Sequence, residues 1–315
     1  MDRLQAMRVF VRVAELGSFT RAAGALGLSR ARVSEAVQEL EDALGARLLH
    51  RTTRHVAVSD DGRAYYERAR QILADLDDAE AALGGAQALV RGRLRVAMPM
   101  ALARSFVVPA LPRFFAQHPE LALEVRLENR SLALLEDGVD CAVSYGKPSD
   151  EGLVAQSILE THLLTCAAPA YLTRRGVPRE PGELGGHDCV AFLSLEAARP
   201  TPWTFAADGA TTSFLPQGMV AFNSMEACVE AAVAGLGVTQ VLSSLAERAI
   251  ARGELRPVLA EHAAPGPRIY VVYPPQRQAS PRLRALIEFL RGVFADVGPP
   301  PVERARRGAG RSPRA

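Results

Sequence analysis

The chain has 315 residues, of which 48 % are hydrophobic and 23 % are charged. This length fits two or three domains, and the composition lets each bury a core, which excludes an intrinsically disordered protein. The formal net charge is only +2. Charge alone therefore does not indicate a nucleic-acid-binding protein, and any such evidence must be local.

The sequence contains neither the apolar segment of a signal peptide nor an apolar run of about 18 residues that would cross a membrane. We therefore expect a cytoplasmic protein with no membrane partner. Its cysteines are scattered without C-x-x-C spacing, which predicts reduced core residues and leaves a redox-sensing pair as the alternative. They are Cys141, Cys166, Cys189 and Cys228.

Sequence signatures of enzymes are missing. There is no G-x-G-x-x-G after the first strand, and G-x-x-x-x-G-K-[ST], H-E-x-x-H and G-x-S-x-G do not occur. No histidines and cysteines have the spacing of metal ligands. The sequence thus predicts no catalytic residues, no metal, no cofactor and no enzymatic activity. Two other classes are less favoured: a solute-binding protein, which would need export, and an architectural DNA-binding protein, which would not need a large C-terminal domain.

Residues 1 to 59 show helical periodicity broken by short turns. An apolar face predicts a first helix that ends near Gly17, a residue type that suits a helix C-terminus. Ser18 or Thr20 can cap a second, short helix, and Gly27 makes a tight turn after it. Ser29 can cap a third helix. Two short helices joined by a glycine turn are typical of a helix-turn-helix.

The third helix is expected to run to about Leu44, with one buried apolar stripe formed by Val33, Val37, Leu40 and Leu44. Its polar residues Arg30, Arg32 and Ser34 lie off that stripe, in the turn that enters the major groove in such motifs. Arginine can donate two hydrogen bonds to guanine, and serine can contact a base or a phosphate. The alternative is an ordinary solvated helix face.

The segment that follows, residues 48 to 58, is apolar at both ends and basic in the middle. This pattern predicts a small β-hairpin, the wing of a winged helix-turn-helix. Arg51 and Arg54 at its tip are placed to contact phosphates or the minor groove.

The N-terminal sixty residues contain a series of short motifs: Phe19-Thr20-x-Ala22-Ala23, Leu26-x-Leu28-Ser29, Val33-Ser34, Leu40-Glu41, Leu44-Gly45, Arg47-Leu48-Leu49 and Arg51-Thr52-Thr53-Arg54. These motifs and their order resemble the LysR-type transcriptional regulator family. The resemblance implies a role in DNA binding for Thr20, Ser29, Arg30, Arg32, Ser34, Arg51, Thr53 and Arg54. Glu35 departs from the family pattern, in which a cation or amide is common, and its carboxylate would repel phosphate.

A long helix is predicted from residue 60, capped by Ser59 and begun by Asp60 and Asp61, which suit a helix N-terminus. Its apolar residues alternate at three- and four-residue spacing, with Glu80 as an interruption, as in a coiled coil. They are Tyr66, Ala69, Leu73, Leu76 and Leu83. We expect a partner chain to cover this face, and the resemblance implies a homodimer or homotetramer. The alternative is packing against the chain's own C-terminal domain.

From residue 92 short β-branched runs alternate with helical stretches, which predicts α/β lobes with parallel strands. Among the helices expected here are one at residues 132–136 and a last one at about residues 281–295. The order of elements resembles the two-lobe effector domain of the same family, which is similar to periplasmic binding proteins. The expected fold is therefore multidomain α and α/β. A winged helix-turn-helix would span residues 1–59, a linker helix 60–91 and an effector domain 92–296. Lobe I would comprise about 92–164 and 269–296, lobe II about 165–268, and the basic tail 297–315 would be disordered.

Ligands of parallel sheets bind beyond the carboxyl ends of the strands, and helix N-termini there suit a carboxylate. These positions predict an effector site formed by Met100, Ala101, Leu102, Ser144, Tyr145, Asn223 and Ser224. Since residues 100 to 102 are apolar where many family members carry serine or threonine, the expected effector is weakly polar or aromatic. The alternative is a pocket that no longer binds a ligand. We thus expect a sequence-specific DNA-binding regulator that binds dyad-symmetric promoter DNA and responds to a small molecule.

Overall fold

The computed structural model describes residues 2–51, 56–83, 90–128, 138–194, 199–207 and 210–295. The predicted tip of the wing, the predicted helix at residues 132–136 and the C-terminal tail lie outside them. The chain forms two compact units. The first comprises Met1–Val90 and Gln276–Arg284, and the second contains the remaining residues.

The first unit begins with three helices, a β-hairpin and a long helix. In chain order these elements are α1 (Arg3–Leu16), α2 (Phe19–Leu26), α3 (Arg30–Leu44), β1 (Leu49–Arg51), β2 (Val56–Val58) and α4 (Asp60–Leu83). The two strands are antiparallel, with Leu49 opposite Val58 and Arg51 opposite Val56. The predicted winged helix-turn-helix is therefore present.

The ends of the first three helices are set by the residues that the sequence indicated. Gly17, Gly27 and Gly45 end α1, α2 and α3 with φ angles of 59°, 65° and 63°, a left-handed conformation that favours glycine. Of the two candidate caps for α2, Ser18 accepts the hydrogen bond, from the Arg21 amide. Ser29 caps α3 by accepting from the Arg32 amide.

An apolar core joins the three helices, the hairpin and the start of α4. Val9, Phe10, Val13, Val33 and Val37 are fully buried in it. Ala69 and Leu73 of α4 are buried in the same core, and Tyr66 packs against it. The expectation that a partner chain covers these three residues is therefore wrong, because the start of the long helix completes the core of its own winged helix-turn-helix.

The second unit is an α/β structure with two mixed sheets and a separate hairpin. Its strands are β3 (Gly92–Met98), β4 (Leu121–Leu127), β5 (Cys141–Tyr145), β6 (Val154–Leu159), β7 (Leu163–Ala167), β8 (Cys189–Ser194), β9 (Arg199–Pro200), β10 (Trp203–Ala207), β11 (Ala210–Phe214), β12 (Val220–Phe222), β13 (Val238–Leu242), β14 (Arg256–Val258) and β15 (Ile269–Tyr273). Its helices are α5 (Met100–Leu102), α6 (Val108–Gln117), α7 (Pro169–Arg175), α8 (Met225–Val233), α9 (Ser243–Ala251) and α10 (Pro281–Ala295). A π-helical turn (Ala103–Val107) joins α5 to α6.

Each sheet combines the predicted parallel strands with antiparallel ones. The first has the order β4-β3-β5-β15-β6, in which β3 is parallel to β4 and β5, and β15 is antiparallel to β5 and β6. The second has the order β12-β8-β13-β7-β14, in which β12, β8 and β13 are parallel. The parallel core of the first sheet was predicted, whereas the hairpin of β10 and β11 was not.

Two chain crossings join the two sheets and are bonded to each other. The first lies between β6 and β7 and the second between β14 and β15. The Thr161 hydroxyl donates to the Pro267 carbonyl at 2.7 Å, and the Gly266 amide donates to the Thr161 carbonyl at 2.8 Å. A Cβ atom at Gly266 would lie 2.3 Å from Thr161 Oγ1, so the close approach of the crossings depends on this glycine.

Candidate nucleic-acid interface and effector site

The third helix, α3, is buried on one side and exposed on the other. Val33 and Val37 are fully buried, and Leu40 is 2 % exposed. Arg30 and Arg32 are exposed in the first turn, and Ser34 is half-buried beside them. The buried stripe therefore fixes the helix and leaves two guanidinium groups exposed at its N-terminal end.

Arg32 is paired with the residue that departs from the family pattern. Its Nη1 atom lies 3.3 Å from Glu35 Oε2, and the two side chains are 58 % and 56 % exposed. An exposed pair three residues apart on a helix contributes little to stability, so its members can exchange partners when a ligand approaches.

The second helix presents further polar groups near its N-terminus. Thr20 and Arg21 are both exposed, and the Arg21 guanidinium donates to the Leu16 carbonyl. Arg47 and His50 are exposed on either side of the buried pair Leu48–Leu49. Arg21, Arg47 and His50 were not among the predicted DNA-binding residues, although their charge and their proximity to the motif in the sequence would have indicated them.

The base of the wing is bonded to the third helix by one carboxylate. Glu41 is 3 % exposed, and its Oε1 atom accepts hydrogen bonds from the amides of Leu48 and Leu49, at 2.8 and 3.0 Å. Hydrogen bonds to a charged acceptor are stronger than neutral ones. Glu41 therefore fixes the position of the wing relative to α3.

The residue that precedes α4 is hydrogen-bonded to the segment that leads into β1. The Ser59 hydroxyl donates to the Arg47 carbonyl at 2.6 Å and accepts from the Gly62 amide at 2.9 Å, so Ser59 caps α4 as predicted. A Cβ atom at Gly62 would lie 2.0 Å from the Leu48 carbonyl oxygen. The helix reaches the wing this closely because residue 62 has no side chain.

The remaining predicted DNA-binding residues are Arg51, Thr53 and Arg54. The backbone of Arg51 ends β1, and its side chain lies outside the described part of the structure. Thr53 and Arg54 also lie outside the described residues. Their role in DNA binding therefore stays a prediction.

The candidate effector residues follow the ends of three strands of the second unit. Met100 begins α5 after β3 and is 51 % exposed, whereas Ala101 and Leu102 are 5 % and 1 % exposed. Ser144 is 6 % exposed and donates to the Tyr145 carbonyl at 3.3 Å. Met100 is therefore the member of the 100–102 group whose side chain a ligand can contact directly.

An acid that sequence reasoning missed lies near the other effector residues. Glu226, in the first turn of α8, accepts a hydrogen bond from the Ser224 hydroxyl at 2.9 Å. Burial raises the pKa of the Tyr145 hydroxyl, and the nearby carboxylate of Glu226 raises it further. The Glu226 carboxylate therefore acts on the Tyr145 hydroxyl, although Tyr145 ends a strand of one sheet and Glu226 lies in the helix that follows a strand of the other. Asn223, next to Ser224, is exposed.

The N-terminus of α8 is less suited to an anion than the sequence suggested. The Ser224 hydroxyl already accepts from the Ala227 amide at 3.2 Å, and the Glu226 carboxylate places a negative charge at the positive end of the helix dipole. The arrangement favours a neutral ligand or a hydrogen-bond donor over a carboxylate at this position.

Comparisons with known proteins agree with this organisation. The family of bacterial regulatory helix-turn-helix proteins of the lysR type matches residues 4–63, and the LysR substrate binding domain matches residues 87–295. The chain is a LysR-type transcriptional regulator.

Individual relatives match nearly the whole chain. An uncharacterised HTH-type transcriptional regulator, YhjC of Escherichia coli, is 34 % identical over 94 % of this chain and 99 % of its own length. An HTH-type transcriptional repressor of Pseudomonas aeruginosa is 35 % identical over 94 % of this chain and 93 % of its own length. The solved structure of CrgA, a LysR-type regulator from Neisseria meningitidis, is similar with a TM-score of 0.60 and 28 % identity, covering 93 % of this chain and 99 % of that one. This LysR-type regulator thus binds DNA to regulate transcription and is modulated by a small-molecule effector.

The cysteines of this LysR-type regulator are poor candidates for reaction. All four are buried. Burial raises the pKa of the Cys166 thiol to about 12 and those of Cys189 and Cys228 to about 11, so these thiols are protonated at neutral pH, whereas the thiolate is the reactive form. Within the described residues no three histidine, cysteine, aspartate or glutamate side chains are grouped to hold a metal ion. No helix among them is long and apolar enough to cross a membrane.

Proposed function

We propose that this regulator is a cytoplasmic homodimer or homotetramer, without enzymatic activity, that binds dyad-symmetric promoter DNA through α3 and the wing. We further propose that residues 1–59 read DNA, that residues 60–91 link the domains and mediate dimerisation, and that residues 92–296 bind the effector. A two-fold dimer presents two reading helices, so its site should contain two related half-sites.

The observation that carries the DNA-binding proposal is the exposure of Arg30 and Arg32 at the front of a helix whose other face is buried. Arginine at this position in a helix-turn-helix can donate two hydrogen bonds to a guanine. Ser34 beside them is proposed to contact a base or phosphate, and Thr20 and Ser29 are proposed to contact the phosphate backbone through helix N-termini.

Alanine substitutions separate base contacts from phosphate contacts. Arg30→Ala or Arg32→Ala should weaken binding to the preferred duplex by about 1–3 kcal/mol and binding to random DNA much less. Arg51→Ala and Arg54→Ala should weaken binding to both and lower the slope of log K against log salt by about one unit for each phosphate that the protein no longer neutralises. The control is Arg252→Ala, which removes an exposed arginine of the second unit.

Each outcome assigns the residue to one kind of contact. Equal losses on preferred and random DNA would reassign Arg30 or Arg32 to phosphate. An unchanged salt slope for both wing variants would show that the wing does not contact the phosphate backbone of the DNA. If the wild-type protein prefers no duplex over random DNA, or protects only one asymmetric half-site while dimeric, the proposal of dyad-symmetric recognition fails.

For dimerisation we propose a face of α4 that is shifted from the predicted one. Ile72 is 50 % exposed, Leu76 is half-buried and Ala79 is exposed. These residues lie at i, i+4 and i+7, which places them on one side of the helix. A second copy of α4 would cover this stripe, whereas Ala69 and Leu73 are already buried in the chain's own core.

For the effector we propose a neutral, weakly polar or aromatic molecule held by Tyr145, Ser144, Asn223 and Met100. Tyr145 supplies an aromatic surface, and the Glu226 carboxylate beside Ser224 opposes the binding of an acid there. Ala101, Leu102 and Ser224 are proposed to shape the site through their backbone. The effector alters regulation only by binding one arrangement of the protein better than another.

A metabolite screen by thermal shift tests the effector proposal. A ligand at a hundredfold excess over its Kd stabilises the protein by about 2.7 kcal/mol. Asn223→Ala and Ser144→Ala should abolish the shift and leave DNA affinity without ligand nearly unchanged. A compound that keeps its full shift in both variants binds elsewhere, and a screen of neutral aromatics without any hit would overturn this choice of effector class.

A further inference from the structure

We propose that Glu35 is a base-reading residue that accepts a hydrogen bond from the 4-amino group of a cytosine, while Arg32 donates to the guanine paired with that cytosine. This inference rests on the proposed binding of α3 in the major groove. It gives a function to a residue of the helix-turn-helix that departs from the pattern of the family.

Glu35 lies on the exposed face of α3, opposite the buried stripe. Since successive helical residues are about 100° apart, Ala31 and Glu35 lie about 160° and about 200° around the axis from Val33. Val33, Ala36 and Val37 are fully buried, so Glu35 lies at the centre of the opposite, exposed face. That face meets the base edges in a helix-turn-helix, and the small side chain of Ala31 lets the groove approach Glu35 closely.

Two other acids of α3 already have structural roles. Glu41 accepts from the Leu48 and Leu49 amides, and Asp42 accepts from the Gln38 side chain at 2.8 Å. Glu35 instead points outward and is 56 % exposed, next to the Arg32 guanidinium. A carboxylate among DNA phosphates is repelled unless a donor on the DNA compensates for it.

The hydrogen-bonding groups of Arg32 and Glu35 match those that a G·C base pair presents. In the major groove guanine presents the acceptors O6 and N7, and cytosine presents the N4 donor. Arg32 and Glu35 present donors and an acceptor whose nearest atoms are 3.3 Å apart. Both bases of one pair can therefore be bonded by two neighbouring side chains, which exchange a weak, exposed ion pair for contacts with bases.

The competing explanation is that the pair only stabilises the helix and that Glu35 merely weakens DNA binding. In that case Glu35→Ala would raise the affinity for every duplex by the same factor, because it removes a repulsive charge. If Glu35 contacts a base, Glu35→Ala should instead lose binding affinity through one base pair in each half-site.

The probes are duplexes recovered with the wild-type protein from a randomised duplex library, with each cytosine replaced in turn by 2-pyrimidinone, which lacks the 4-amino group. The wild-type protein should lose about 5- to 150-fold in affinity at one cytosine of each half-site, the range that one good base contact provides. Glu35→Ala should be insensitive to the same replacement. The matched control Glu39→Ala, which removes an exposed acid of α3, should keep the wild-type sensitivity.

A second arm tests the guanine. At the pair identified by the cytosine scan, 7-deazaguanine removes the N7 acceptor and should weaken the wild-type protein but not Arg32→Ala. The proposal is overturned if no cytosine replacement affects the wild-type protein, or if Glu35→Ala remains as sensitive as the wild type. A wild-type protein that recovers no preferred duplex would instead overturn the proposed function.

Discussion

Asp78 of α4 and Arg282 of α10 form a buried ion pair, with Arg282 Nη2 2.7 Å from Asp78 Oδ1. Asp78 is 9 % exposed and Arg282 is 7 % exposed. Arg282 also donates to the Ala74 carbonyl at 3.0 Å. Arg277 adds a second guanidinium, 2.8 Å from Asp75 and 3.5 Å from Asp78. Within the first unit α4 is thus joined by charged groups to a segment more than two hundred residues later in the chain.

We expect Arg282→Met to lower the free energy of unfolding of the first unit by about 3–5 kcal/mol, because it leaves a buried carboxylate with reduced compensation. Urea unfolding followed by far-UV circular dichroism measures the change. The double variant Arg282→Met/Asp78→Leu should recover part of the loss, since it removes both charges. Strictly additive losses would show that the two side chains do not interact.

Gly62→Ala should destabilise the DNA-binding domain by about 1–3 kcal/mol and weaken DNA binding, because overpacking would displace α4 from the wing. The added Cβ would lie 2.0 Å from the Leu48 carbonyl oxygen and 2.9 Å from Val58 Cγ1. Gly24→Ala is the control, because no atom lies within 4 Å of its added Cβ. This substitution should stabilise α2 by up to about 1 kcal/mol. Equal melting temperatures for the two variants would contradict the prediction.

Ile72→Asp should shift the protein towards monomers at concentrations where the wild type is dimeric, because it places a charge on the proposed seam between two copies of α4. Analytical ultracentrifugation measures the distribution. Gln71→Asp adds the same charge at an adjacent exposed position and should leave the oligomeric state unchanged. If both variants remain dimeric, another surface holds the subunits together.

The four cysteines should not react with a disulfide reagent such as dithionitrobenzoate at neutral pH, and all four should react after denaturation. The folded state raises the thiol pKa of Cys166 to about 12, so the protonated form is favoured in the fold. Its contribution to stability is present below the unfolded pKa of about 9 and is lost as the pH rises towards 12. Rapid labelling of the native protein would restore the redox-sensing alternative.

The sequence by itself determined the helix-turn-helix, because its signals are local. Glycines that suit left-handed helix ends, serine caps and an apolar stripe act within a few residues of where they stand, and Gly17, Ser29 and Val33 have the predicted roles. The last helix was predicted in the same way and spans Pro281–Ala295. The parallel core of the first sheet followed from alternating strands and helices.

Only the tertiary structure decided which side of α4 is covered by the chain's own core. Periodicity gave α4 an apolar face, but Ala69 and Leu73 pack into the same core as Phe10, and this packing moves the proposed dimer seam to Ile72. The structure likewise placed Glu226 near Tyr145 and joined Arg282 to Asp78. A spacing of eighty to two hundred residues carries no periodic signal, because contacts between distant segments are set by the path of the whole chain and not by local propensity.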